Sequence, residues 1–427
     1  MDFSELFAPD KLQEQAFLTL LEKLVTIETP PRDVSAHQNI FALLKKELDK
    51  LGYESEIYPG QTCGGQLWAR PPGSSSAGYQ LMLGHVDTVW PQSTLQRMPF
   101  NKEGNVVTGP GIYDMKAGIV MMLMALKMIQ SAGLNPALQP VIFLNSDEET
   151  GSGESREKIL RLARAVKRVY VLEPSLDLDG KLKTRRKGVG HFNITVKGIS
   201  SHAGIEPEKG RSAILELSHL IQKLFDLNDP EQGVSVNVGT IDGGISTNVI
   251  APESHASVDV RVLTKRDADR LEKQIKLLKA TTKDVTLNIA GGFNRPPLVQ
   301  NKRNRTLWEA ARTIGLMLGI ELKQGISGGG SDGSFTSLHS ATLDGLGAVG
   351  DGAHSPNEHI LLEETLQRIG LLAHMLMIPD TTGKEVDDIL SFSEPGTEKP
   401  ADFFKGPGIK EPGNSEDREY FGNTRIR

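Results

Sequence analysis

Tyr79-Gln80-Leu81-Met82-Leu83-Gly84-His85-Val86-Asp87-Thr88 is the stretch on which the fold turns. Its apolar run reads as a buried strand, and side chains two apart on a strand share a face. His85 and Asp87 then meet at the strand's carboxyl end, where open α/β sheets carry ligands. A carboxylate beside a histidine fixes the ring tautomer and makes the other nitrogen a better metal ligand. Alone, a His-x-Asp pair reads more readily as a satisfied structural pair. Its neighbours in sequence change that reading.

Three further carboxylates stand at element junctions. Gly109-Pro110-Gly111-Ile112-Tyr113-Asp114-Met115-Lys116 is a glycine-rich turn ending in an acid, with an apolar helix over 117–129 and Gly133 as its stop. Val141-Ile142-Phe143-Leu144-Asn145-Ser146 is a buried strand running into Asp147-Glu148-Glu149. A solvated charge run is the usual account of three acids together, but these abut an apolar strand and precede a Gly-Ser-Gly turn. Val169-Tyr170-Val171-Leu172 ends in Glu173, and Gly352-Ala353-His354-Ser355-Pro356-Asn357-Glu358 supplies a second imidazole. His85, Asp114, Glu149, Glu173 and His354 form a ligand set that suits zinc, with cobalt or manganese as substitutes. One bridging carboxylate with two ligands on each side would hold two metals. Glu148 is adjacent to a proposed ligand, need not be one itself, and is the natural general base.

These five motifs, in this order, resemble the di-zinc metallopeptidase family that contains glutamate carboxypeptidase, acetylornithine deacetylase, succinyl-diaminopimelate desuccinylase and the aminoacylases. The likeness runs from the N-terminal helix to Met377 and is nearest in look to glutamate carboxypeptidase. It implies that His85 and Glu173 hold one zinc, Glu149 and His354 the other, and that Asp114 bridges them across a cis bond to Met115. Asp87 would orient His85, and Glu148 would be the catalytic acid/base. Two zinc ions per subunit are expected.

The resemblance also gives roles to residues that read blandly alone. His202, in Ser200-Ser201-His202-Ala203-Gly204, would reach a partner subunit's site and stabilise the oxyanion. Asn248 would donate to substrate. Arg261 alternates with the apolar Val260 and Val262, and would clamp the substrate's carboxylate with bidentate geometry. Ser327-Gly328-Gly329-Gly330-Ser331-Asp332 resembles the family's Gly-Gly-Gly-Thr-Asp loop, with Gly329 close to substrate and Ser331 in place of threonine. Lys181 and Arg295 are expected to line a pocket for an acidic side chain, although the Arg185-Arg186-Lys187 run beside Lys181 also reads as a solvated turn.

At 427 residues the chain exceeds what one core organises. Helices over 11–25 and 34–51 and strands alternating with helices up to Pro174 argue for an α/β domain with a mainly parallel sheet. From 191 to 289 the order becomes β-α-β-β-α-β, a ferredoxin-like insert. The expected division is a catalytic domain over 1–187 and 294–379, a lid and dimerisation domain over 188–293, and a tail over 380–427. Eleven acids against seven Lys/Arg and ten Pro or Gly make that tail read as disordered.

The net charge of −6 gives no reason to expect nucleic acid or an anionic membrane as partner. The single Cys63 excludes an internal disulfide and a cysteine-based zinc site. Without a signal-peptide pattern or an apolar run of about 18 residues, a cytoplasmic enzyme is expected. The expected activity is hydrolysis of an amide to release a C-terminal or N-acylated amino acid from a small peptide or N-acyl amino acid, by a homodimer. The alternatives are a deacetylase- or desuccinylase-like deacylase, and, from another class, an inactive binding or regulatory homologue.

Overall fold

A computed structural model describes residues 6–73 and 75–380. The expected disordered tail, apart from Asp380, lies outside the described residues. The described residues divide into two compact units: one holds residues 6–185, 298–327 and 331–380; the other holds 186–297 and 328–330.

The first unit is built on a six-stranded sheet in the order Glu54–Tyr58, Gln66–Arg70, Gln139–Asn145, Tyr79–His85, Arg168–Val171, Ala341–Leu343. The last four are mutually parallel, and the first two form an antiparallel edge. Tyr79–His85 lies between two parallel neighbours and is buried along its whole length. That is why it reads as one apolar run rather than an alternation. Successive side chains serve opposite layers. Leu81 and Leu83 pack with Ile159 and Leu160 of helix Arg156–Ala165. Met82 faces the layer containing helices Ala117–Ser131 and Leu362–Met377. Each such buried side chain contributes roughly 1.5–3 kcal/mol. Gln80, the polar member of the run, is satisfied: its amide donates to Leu138 O (2.7 Å) and Leu376 O (2.8 Å) and accepts from Arg168 Nε (2.9 Å).

A small sheet, Gly350–Asp351, His359–Leu361, Val106–Thr108 and Asn101–Glu103, frames the loop carrying His354. Thus the strand ends of one sheet and a hairpin of another converge on the acids singled out above.

The second unit is an antiparallel sheet in the order Ser235–Gly243, Glu253–Val262, Gly188–Lys197, Thr286–Arg295. Helices Ala213–Phe225 and Lys265–Lys276 lay Leu217, Leu220, Leu271 and Ile275 against Phe192, Ile194, Val258 and Val260. This is the β-α-β-β-α-β order read from the sequence. The edge strand runs on to Gly243, past the apolar alternation of residues 234–238. Beyond Val238 a bulge interrupts the register and the side chains are mostly exposed, so the apolar alternation stops while the ladder to residues 254–257 continues. Among the described residues no helix is long and apolar enough to cross a membrane.

Candidate metal centre

His85 ends its strand fully buried, and its ring is fixed from behind. Nδ1 lies 2.9 Å from Asp87 O and 3.4 Å from Asp87 Oδ1. The Asp87 carboxylate in turn accepts from the backbone N–H of Glu148 (3.3 Å) and Glu149 (2.9 Å). With the Nδ1 proton directed at Asp87, Nε2 is left as the ring atom that could take a metal. One buried carboxylate therefore sets both the first imidazole and the turn bearing Glu148 and Glu149.

His85 Nε2 is 3.2 Å from Asp114 Oδ1 and 3.4 Å from Glu173 Oε1. His354 Nε2 is 3.5 Å from Asp114 Oδ2 and 3.3 Å from Glu149 Oε1. Asp114 thus offers one oxygen to each imidazole. Ligands at about 2.05 Å from a tetrahedral zinc lie about 3.3 Å from one another. The four spacings match that edge better than they match an ordinary N–H···O bond of about 2.9 Å. Glu149 Oε1 is buried and has no hydrogen-bond partner, a costly state that a cation would relieve. Atoms able to ligate a metal from His85, Asp114 and Glu149, and separately from His85, Glu148 and Glu173, lie within 4.8 Å of one another. The donor set, nitrogen and carboxylate oxygen without sulfur, fits divalent zinc, cobalt or manganese. The Asp114–Met115 bond is cis, as the resemblance implies.

The electrostatics of the cluster demand positive charge. Burial pulls the His85 ring down, but Asp114, Asp87 and Glu173 override it and raise it well above its ordinary range. The Asp114 and Glu149 carboxylates facing its ring push His354 up to about 10. Burial pushes the Glu149 carboxyl up to about 7. Burial also acts to raise Asp114, yet the two imidazoles hold it well below the usual carboxylate range.

Several residues here left little mark in the sequence. Asp147 accepts from Glu154 N (2.7 Å) and Ser155 N (3.1 Å), so it anchors the start of Arg156–Ala165, and burial pushes its carboxyl up to about 6. Of the three consecutive acids only the later two belong to the cluster. Lys183 is buried with its ammonium 3.9 Å from Glu173 Oε2, the oxygen turned away from His85. Glu358 sits beneath the Asp114 turn and accepts from its backbone. Lys183 was hidden in a basic run, and Glu358 in the motif quoted for His354; neither lies in a periodic pattern that betrays burial.

Lys181, also in the first unit, is held by Asp177 (2.6 Å) and Asp179 (3.3 Å). In the second unit, His202 and Asn248 are brought together: Ala203 N donates to Asn248 O (2.9 Å), and His202 bridges to Val249. Gly204 N–H donates to His202 Nδ1 (3.2 Å), which leaves the proton on Nε2. Asn248 Oδ1 accepts from Ser246 Oγ (2.7 Å). Arg261 makes a bidentate pair with Asp259 (2.7 and 2.9 Å) and reaches Gly328 O at 3.5 Å. Arg186 donates to Gly329 O (3.2 Å) and Gly330 O (3.1 Å), while Arg295 is buried against Gly330.

A model of Peptidase family M20/M25/M40 matches residues 81–378. The chain is 28% identical over 377 residues to carboxypeptidase G2 of Pseudomonas sp. (strain RS-16), covering 86% of this chain and 89% of that one. It is 27% identical over 354 residues to succinyl-diaminopimelate desuccinylase of Xanthomonas oryzae pv. oryzae (strain PXO99A), covering 79% and 92%. An M20 family metallo-carboxypeptidase from Sulfolobus solfataricus superposes with a TM-score of 0.67 at 16% identity, over 86% of this chain and 99% of that one.

Proposed function

The chain belongs to peptidase family M20/M25/M40, and on that premise we propose that it is a two-metal hydrolase of carboxypeptidase type. Its reaction is cleavage of an amide bond that releases a C-terminal or N-acylated amino acid. The observation carrying this reading is the pair of imidazoles spaced 3.2–3.5 Å from Asp114, Glu149 and Glu173, with Glu148 beside them.

His85, Asp114 and Glu173 would hold one ion, and His354, Glu149 and Asp114 the other, zinc by preference. Bound there, such ions supply Lewis-acid polarisation of the scissile carbonyl and lower the pKa of water toward about 7. Glu148 takes the proton from the attacking water and returns it to the leaving amine, so one carboxyl serves as base and then acid. Asp87 keeps the His85 tautomer fixed. His202, with its Nε2 proton available, donates to the developing oxyanion. Asn248 and Arg261 hold the carboxylate next to the scissile amide, and the Gly329 loop lies along the substrate. Lys181 and Arg295 are assigned to an acidic side chain; for Lys181 this requires exchange of its pairing with Asp177 and Asp179.

The inserted unit, residues 188–293 in this reading, acts as lid and dimer contact. Its support is the exposed edge strand and the loop after it, with Ile241 and Ile245 standing 66% and 74% exposed and Ile214 and Leu215 on the neighbouring helix, an apolar edge that isolated monomers avoid. In such a dimer His202 works in the partner's site. The test mixes inactive Glu148→Ala and His202→Ala chains: one site of each mixed dimer is then intact, and about half the wild-type activity per mixed dimer should return. No recovery after proven subunit exchange defeats the trans assignment. The reading sets the enzyme in the cytoplasm; the single buried thiol of Cys63 is compatible with that compartment.

The substrate test is a hydrolysis panel of N-peptidyl and N-acyl amino acids with zinc and cobalt supplied separately. Release of C-terminal amino acids from peptides is the expected result. Cleavage of small acyl groups alone favours the deacylase alternative, toward which the desuccinylase likeness points. Bound metal without turnover on any amide would instead mean a binding protein.

A further inference from the structure

Glu358 is 1% exposed, yet its carboxylate is fully occupied. Oε1 accepts from the backbone N–H of Tyr113 (2.9 Å) and Asp114 (3.1 Å). Oε2 accepts from Gly111 N–H (2.9 Å) and from the indole Nε1–H of Trp90 (2.7 Å). Three of the four donors belong to the one turn that presents Asp114. The same residue lies four positions after His354, in a loop that closes tightly on itself. Ser355 N donates to Gly352 O (2.9 Å), Glu358 N to Ser355 O (3.0 Å), and a Cβ on Gly352 would stand 2.6 Å from Asn357 O. His354 and Glu358 therefore move as one piece, and Glu358 bolts that piece to the backbone under Asp114.

We infer that Glu358 is a positioning residue that assembles the second metal subsite, the one formed by Asp114, Glu149 and His354. This rests on the two-metal reading above. Two of that subsite's three ligands take their places through Glu358, against one of three for the His85, Asp114 and Glu173 subsite. The other ligands differ in how they are held. His85 is locked at the end of a buried strand. His354 is half exposed, with a φ of 61°, and besides Glu358 its loop meets the Asp114 turn through the His354–Asp114 pair itself, at 3.5 Å. Loss of the Glu358 clamp thus frees the His354 subsite first.

The test uses the full chain and Co2+ as probe, with binding followed by equilibrium dialysis and by the visible absorption of bound cobalt. A Gln at 358 keeps one acceptor oxygen and turns an NH2 toward two N–H donors, so Glu358→Gln should keep one tight ion and weaken the second by roughly 10–100-fold. Adding Glu173→Gln should then remove the retained ion, since it sits on the His85 side. Trp90→Phe, which deletes one donor and leaves the three backbone bonds, should still bind two. If Glu358→Gln does not fold by circular dichroism, Glu358→Asp keeps the charge, shortens the reach and should weaken the same ion. Two ions held at wild-type affinity in a folded Glu358 variant overturn the inference, and so does loss of both in step or of the His85-side ion first. A wild-type chain that binds fewer than two ions defeats the two-metal reading itself and takes this inference with it.

Discussion

Adjacent glutamates doing separable jobs is the sharpest consequence at the scale of single residues. Glu149 points an orphaned oxygen at His354, whereas Glu148 groups with His85 and Glu173. Glu148→Ala should therefore keep both metals while kcat falls by about 10²–10⁴-fold, the usual worth of a general base. Glu149→Ala should lose metal, and metal analysis beside kinetics distinguishes them. Loss of metal to the same extent in both would mean that the two roles are interchanged. The five proposed ligands were legible because each closes an apolar run or a glycine turn, a position where a charge has to be explained. Lys183 and Glu358 were not, because what makes them special is the burial of a charge against one chosen partner. No local pattern encodes that.

Elements transmit small changes to the centre. Gly118, in the first turn of helix Ala117–Ser131, has its Cα against the chain at Leu172, where an added Cβ would lie 2.1 Å from the carbonyl oxygen. Gly118→Ala gains roughly 1 kcal/mol of helix propensity, but overpacking costs roughly 1–3 kcal/mol or more, and backbone is what has to give. Net destabilisation is expected, together with weaker metal binding because Leu172 precedes Glu173; thermal melts and metal titration check both. In the inserted unit, Glu216 ties helix Ala213–Phe225 to Thr281 and Thr282 by bonds of 2.8 Å to each backbone N–H. Burial acts to raise its carboxyl, but the donors of Thr282 and Thr281 override this and hold it at about 2. A depressed carboxyl stabilises the fold above its ordinary value near 4.5 and loses that contribution as pH falls toward 2. The Tm gap between wild type and Glu216→Gln should accordingly be wide at pH 7 and shrink through that window; a gap independent of pH would rule the tie out. At this scale the helices and the parallel strands followed their periodicities, while the edge strand outran its own because exposed ladders carry no apolar signal.

Over the whole molecule, the last anchoring contacts of the described chain lie at residues 378–380. Buried Arg168 donates to Ile378 O and Pro379 O, both at 2.7 Å, and Lys167 pairs with Asp380 at 3.4 Å. Truncation after Asp380 should leave Tm and activity near wild type. Truncation after Met377 removes both carbonyls from a buried guanidinium, at about 1.5–3 kcal/mol for each charged bond, and should lower Tm by several degrees. Equal losses in the two truncations would place the stabilising contacts beyond Asp380. The two-unit division was readable from the switch between a βα alternation and a β-α-β-β-α-β order. The grouping of residues 328–330 with the inserted unit was not, since it follows from Arg186 and Arg261 reaching glycine carbonyls across long sequence separations.

The interruption of the sheet unit by an insert has a consequence in time. Residues 85, 114, 149 and 173 precede the insert and His354 follows it, so during synthesis a ribosome at about 5–20 residues per second exposes four of the five proposed ligands well before the fifth. On the two-metal reading, an emerging chain could hold at most the ion of the His85 side until some 180 further residues have left the exit tunnel. Full loading of the proposed two-metal site would thus be a checkpoint that only a chain extended past the insert can pass.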